Sequence, residues 1–160
     1  MSLRFSSDAS SSASVFSLEL HPRYNAGTVR NVVQQVARSW STGVLRQLNA
    51  LVALPRGWDG YRAGPVRFDT ANFALQLLES ACGDETPCPQ IIPGSDGDLQ
   101  IEWHLPGGDV ELHVAGPLRV SAWSSIGGVE EHAALTNDFT VAAQWLCSLA
   151  EHDGAAAAAA

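Results

Sequence analysis

Lysine is absent from this 160-residue sequence: all nine basic residues are arginine, against 17 acidic ones, for a net charge of −8. A chain so short of positive charge is poorly suited to a phosphate backbone, whose affinity rests on basic contacts. Cysteine is scarce as well. Three stand at positions 82, 88 and 147, an odd count whose spacing fits neither a disulfide framework nor a zinc knuckle. They read as reduced thiols and point to the cytoplasm. No apolar run approaches the roughly 20 residues of a membrane span. The first 18 residues lack the basic stretch and apolar run of a secretion signal. Also missing are a GxSxG elbow, an HExxH pair and a phosphate-cradling glycine loop. No catalytic residue and no cofactor are therefore expected.

What is present suits one folded domain. Hydrophobic residues make up 46% and charged residues 16%, enough to build a core. Residues 1–14, containing SSDASSSAS, hold too little apolar surface to offset the entropy of ordering and are expected to be a floppy leader. Val15–Leu20 suits a short strand. The single domain is expected over 15–153, with 154–160 set aside as an alanine tail. Charge is divided unevenly. Residues 1–67 carry a net +5, and residues 68–160 carry Arg119 against fourteen acids, a net −13. Such asymmetry bears on partners, not on fold.

Residues 28–54 show a helical stripe of Val29, Val32, Val33, Val36, Trp40, Val44, Leu48 and Leu51, with a break near Ser41–Gly43 and a stop at Pro55. Arg30, Arg38 and Arg46 spread around its polar side because a step of eight residues turns the side chain by about 80°. They do not form the dense basic strip of a nucleic-acid site. A second helix is expected over 69–82, with Asp69 or Thr70 as cap and Phe68 stapled to Phe73. Cys82 falls on its apolar face. A third helix is expected over 137–152, capped by Asn137 or Asp138, with Ala142, Trp145, Leu146 and Leu149 buried.

Between them the period changes from 3.6 to 2. Gln90–Ile92 is a short strand between prolines. Leu99, Ile101, Trp103 and Leu105 alternate with Gln100, Glu102 and His104; Val110, Leu112 and Val114 alternate with Glu111 and His113; Leu118, Val120 and Ala122 follow. These segments predict an antiparallel meander of three to four strands, dry on one face and wet on the other. A four-residue turn at 106–109 would pair Leu105 with Val110, Trp103 with Leu112, His104 with Glu111 and Glu102 with His113. A three-residue turn at 115–117 would set Leu112 beside Val120 and His113 beside Arg119. Residues 124–134 read as a loop or weak strand. The expected class is α+β, with two to three helices on the dry face.

Two surfaces carry candidate chemistry. The wet face gathers Glu102, His104, Asp109, Glu111 and His113. Two histidines and two glutamates on neighbouring strands suit a divalent ion, with Glu102 or Glu111 as a base if that ion served hydrolysis. Ordinary Glu–His pairing on a solvated face is the favoured reading, since a closed metal site needs sheltered ligands and no short ligand motif is present. His104 and His113 are thus only weak metal candidates. The second surface is the stretch from Gly57 to Pro65. Trp58, Tyr61 and Arg62 are residue types that anchor interfaces, while Asp59 can close a turn on its own backbone. Alternatively the stretch is a structural clasp that lays Trp58 between two helices. Trp40 and Trp123 are open to the same choice between core and interface.

The segments Gly57-Trp58-Asp59-Gly60-Tyr61 with Pro65, Pro89-Gln90-Ile91-Ile92-Pro93, and Asp96-Gly97 with Ile101-Glu102-Trp103 occur in that order. In this the chain resembles a widespread family of small bacterial proteins with GWDGYxAxP, PxIxP and DGxhxhEW segments, h being apolar. Val120-Ser121-Ala122-Trp123 fits the end of that pattern. The resemblance spans residues 48–123, about half the chain. It implies a companion protein encoded beside other genes, and it carries no catalytic residue across. The Ser-rich leader and the last helix depart from it, as additions suited to one particular partner. The expected function is that of a non-enzymatic interaction protein: an antitoxin, inhibitor or accessory subunit, such as one acting in bacterial defence. Its acidic sheet face, with Trp58, Asp59, Tyr61, Arg62, Glu102, Asp109 and Glu111 as partner-binding candidates, would meet a basic protein surface. No direct nucleic-acid or membrane partner is expected.

Overall fold

Three apolar stripes at helical spacing become three helices on one side of a sheet. The computed structural model describes residues 38–158, so the expected leader, the strand at Val15–Leu20 and residues 28–37 of the first helix lie outside the described residues. Helix α1 (Ser41–Val52) buries Val44, Leu48 and Leu51. It starts where the break was expected, and the Arg38 carbonyl accepts the Ser41 N–H and hydroxyl. Trp40 is buried, and its Nε1 donates to the Gly83 carbonyl at 3.0 Å, so its place is in the core.

Helix α2 (Phe68–Ala81) buries Phe73, Ala74, Leu77 and Leu78. Its start differs from expectation. Arg67 holds the N-cap position without a side-chain bond, and Asp69 lies in the first turn, accepting the Thr70 N–H at 2.8 Å. The staple is absent: Phe68 is 74% exposed. Phe73 instead meets Phe139 edge-on, with ring centroids 5.9 Å apart. That tertiary partner, half-buried just before Thr140 and packed against the core, takes the place of a surface contact with Phe68. Helix α3 (Thr140–Ala158) buries Ala142, Trp145, Leu146 and Leu149 as expected. Asp138 Oδ1 accepts the Thr140 N–H at 2.9 Å and its hydroxyl at 2.6 Å. These bonds hold the Asp138 carboxyl below the usual carboxylate range. The helix continues past 152 because alanine has the highest helix propensity.

The sheet has five antiparallel strands in the order β1 (Gln90–Pro93), β2 (Leu99–Leu105), β3 (Gly108–Gly116), β4 (Arg119–Ile126) and β5 (Val129–Leu135). The class is α+β, a single domain, with one strand more than the upper expectation. The extra strand comes from residues 124–134, which form the end of β4 and most of β5. Gly127 and Gly128 join them with φ of 58° and 82°, the left-handed pair that a two-residue hairpin turn requires.

The register also differs. Leu105 pairs with Gly108, Trp103 with Val110, Ile101 with Leu112 and Leu99 with Val114. The turn is the two residues Pro106–Gly107, not four, so every pair slides by two positions. Between β3 and β4, Leu112 pairs with Ala122 and Val114 with Val120, with an irregularity between Val114 and Gly116. Leu118, with φ of 60°, turns the chain there. A slide of two restores the side-chain period, so each residue keeps its face. Ile91, Leu99, Ile101, Trp103, Val110, Leu112, Val114 and Val120 are buried in the core.

Tight contacts close the two ends of the sheet. At one end Arg67 donates to the carbonyls of Asp96 and Ala115, both at 2.7 Å. At the other, α3 reaches both hairpin tips. A Cβ placed on Gly107 would come within 2.6 Å of Asp153 N, and one on Gly127 within 3.1 Å of His152 Nε2. Among the described residues, no helix is long and apolar enough to cross a membrane.

Candidate functional site

The helices occupy one side of the sheet, and pairing arranges the polar side chains of the other into rows. The central row runs Gln90, Glu102, Glu111, Trp123, His132. Beside it toward the β2–β3 turn lie His104, Asp109, Ser125 and Glu130. On its other side lie Ile92, Gln100, His113, Ser121 and Ala134. Trp123 of β4 is half-buried on this face, whereas Trp103 of β2 points to the opposite face and is in the core.

The corrected register re-sorts the expected pairs. Glu102 lies opposite Glu111, not His113, and His104 lies opposite Asp109, not Glu111. Two carboxylates bracket the His104 ring: Nδ1 is 2.7 Å from Asp109 Oδ1, and Nε2 is 3.1 Å from Glu102 Oε2. Both nitrogens donate at once only in the imidazolium form. The bond to Asp109 first, then that to Glu102, holds the His104 pKa above its ordinary value. Gln100 Nε2 donates to Glu111 Oε2 at 3.1 Å. The nearest donor atoms of Glu102, His104 and Glu111 all lie within 4.8 Å of one another. Glu102 is the most sheltered of the bracketing carboxylates, with its side chain 13% exposed.

His113 belongs elsewhere. Its Nε2 donates to Asp98 Oδ2 at 2.6 Å, at the far end of β2. Burial pushes the Asp98 carboxyl up, but the bonds from His113 and the Asp98 and Asp96 amides outweigh it, and its pKa lies below the usual range. A carboxylate lowered by folding adds stability that is fully present above the ordinary aspartate pKa of about 3.9 and is lost as pH falls through the folded value. Asp98→Asn is therefore expected to flatten the acid side of the stability curve. Urea midpoints between about pH 5 and pH 2.5 test this, and parallel acid losses in parent and variant would refute it.

The loop from 55 to 67 is built from its own backbone. Asp59 Oδ1 accepts the N–H groups of Tyr61 at 2.9 Å and Ala63 at 3.2 Å, and Gly57 N–H donates to the Ala63 carbonyl at 2.7 Å. Trp58 is half-buried, and its Nε1 donates to the Gly64 carbonyl at 2.8 Å. It thus clasps its own loop. Tyr61, 87% exposed, and Arg62 project from the tip. Gly64 and Arg67 bond to the carbonyls of Ser95 and Gly97, which fixes this loop at the β1–β2 turn. Glu102 lies five residues beyond Gly97, roughly 16 Å along an extended strand. The two groups of candidates are therefore separate, and the sheet face alone forms a cluster.

Glu130 and His132 extend that face and were not expected, because residues 124–134 do not alternate cleanly between polar and apolar. The Gly127–Gly128 pair was the available signal of a hairpin there. Of the three cysteines, Cys82 is buried, and burial pushes its thiol up to about 12 despite the nearby Arg38. Cys88 and Cys147 are exposed. No family profile, curated protein or solved structure matches the chain.

Proposed function

We propose that the protein is a non-enzymatic interaction subunit of the antitoxin, inhibitor or accessory kind, whose open sheet face binds a basic surface on a protein partner. The observation that carries this reading is the face itself: Glu102, Asp109, Glu111 and Glu130 stand in adjacent rows on a pleated platform, with the indole of Trp123 among them. Strand pairing fixes the backbone spacing of these carboxylates before a partner arrives. The −13 balance of residues 68–160 adds a long-range field that speeds encounter with a positive partner. A nuclease or defence protein with a basic nucleic-acid-binding face has the matching chemistry, and covering that face would inhibit it. Trp123 supplies the apolar anchor that interfaces of this type need.

Pull-down from the native host tests the reading. A protein retained at low salt and released at high salt is expected, because the attraction is screened. The double charge reversal Glu111→Lys, Glu130→Lys is expected to weaken retention by at least about tenfold, the scale of losing charged interface contacts. Equal retention by the variant, or no protein retained by the parent, would overturn it.

A further inference from the structure

The centre of the open face brings one imidazole and two carboxylates within reach of one another. We propose that Glu102, His104 and Glu111 bind one divalent transition ion of the zinc class. Imidazole together with carboxylates suits such ions, and three protein ligands leave a coordination position open to solvent. Mutual separations within 4.8 Å allow one ion to reach all three with small side-chain adjustment. The three come from two directly paired strands, so the backbone fixes their spacing before any ion arrives.

Groups outside the triad are placed to support it. Asp109 lies 2.7 Å from His104 Nδ1. An arriving ion would displace the Nε2 proton that joins His104 to Glu102, 3.1 Å away, while Nδ1–H keeps its bond to Asp109. A carboxylate behind the histidine in this way sets the tautomer and raises ligand basicity at metal centres. Gln100 holds Glu111 Oε2 at 3.1 Å and orients that carboxylate while its other oxygen stays available. His113 makes none of these contacts, being tied to Asp98. The ion would neutralise charge at the point where two glutamates face each other across the strands, and its open position could take a donor atom from a partner.

The test is titration of the purified full chain with zinc alone, followed by calorimetry, with cobalt as a spectroscopic stand-in. One equivalent is expected to bind, with a cobalt spectrum free of thiolate charge transfer, which separates this site from the exposed Cys88 and Cys147. His104→Ala is expected to abolish that equivalent. Asp109→Asn is expected to weaken it about tenfold to a hundredfold, as loss of a supporting carboxylate does. His113→Ala is expected to bind like the parent. Circular dichroism of each variant confirms folding, which these exposed histidines do not control. No stoichiometric uptake by the parent, or undiminished uptake by a folded His104→Ala, would overturn the proposal. Because no partner is present in this titration, its outcome is independent of the protein-binding reading.

Discussion

Trp103→Ala is expected to cost about 3–5 kcal/mol, the range for truncating a large aromatic in a core. The indole is 2% exposed, and its Nε1 donates to the Pro87 carbonyl at 2.9 Å. Truncation would open a cavity under the helices and leave that carbonyl without its partner. A domain of this size is stable by only about 5–15 kcal/mol, so the loss takes a large share of the total. Urea unfolding at fixed temperature measures it. Trp123→Ala serves as the comparison: the same residue type on the opposite face, half-buried, and expected to lose roughly 1 kcal/mol from reduced burial. Equal losses at the two positions would mean that the faces are not assigned as described.

Gly108→Ala is expected to be nearly as damaging, for a different reason. Gly108 has φ of 145°, a conformation costly for a residue with a side chain. A Cβ built there would strike the Ser125 carbonyl oxygen and lie 2.9 Å from the Ile126 Cα, both backbone atoms of the next strand. Strain of about 1–3 kcal/mol then combines with an overpacking cost of similar size. Gly128→Ala is the comparison, since its φ of 82° is also positive but nothing lies within 4 Å of its added Cβ. The difference between the two midpoints reports the clash together with the greater backbone strain at 145°. If the two variants unfold together, β3 and β4 are not paired as described.

These two positions also show what the sequence made legible. Alternation along 99–122 was enough to give every side chain its face, because that pattern depends only on parity. Register depends on turn length, and Pro106-Gly107-Gly108-Asp109 contains turn-forming residues at all four positions. Only the close approach to Ser125 reveals that Gly108 is already in the strand. The same holds at Leu118, where a leucine adopts positive φ with no compositional signal. The helical stripes were readable because burial follows their period, whereas the staple failed because Phe139, sixty-six residues from Phe73, is invisible to local spacing. At the candidate site, alternation placed Glu102, His104, Asp109, Glu111 and His113 on one face, as the strand pairing has them. The two-residue slide then exchanged their partners, moving His113 to Asp98 and bringing Glu102, His104 and Glu111 together.

The contact of His152 and Asp153 with Gly107 and Gly127 has a practical meaning for anyone trimming the chain. A boundary drawn at Glu151 would look harmless on sequence, since only alanines and a few polar residues follow. It would nevertheless strip the cover from both loops at that end of the sheet, including the one beside His104 and Asp109. Expression boundaries that retain Asp153 keep that corner intact, and shorter ones would loosen the acidic cluster before any of its own residues had been changed.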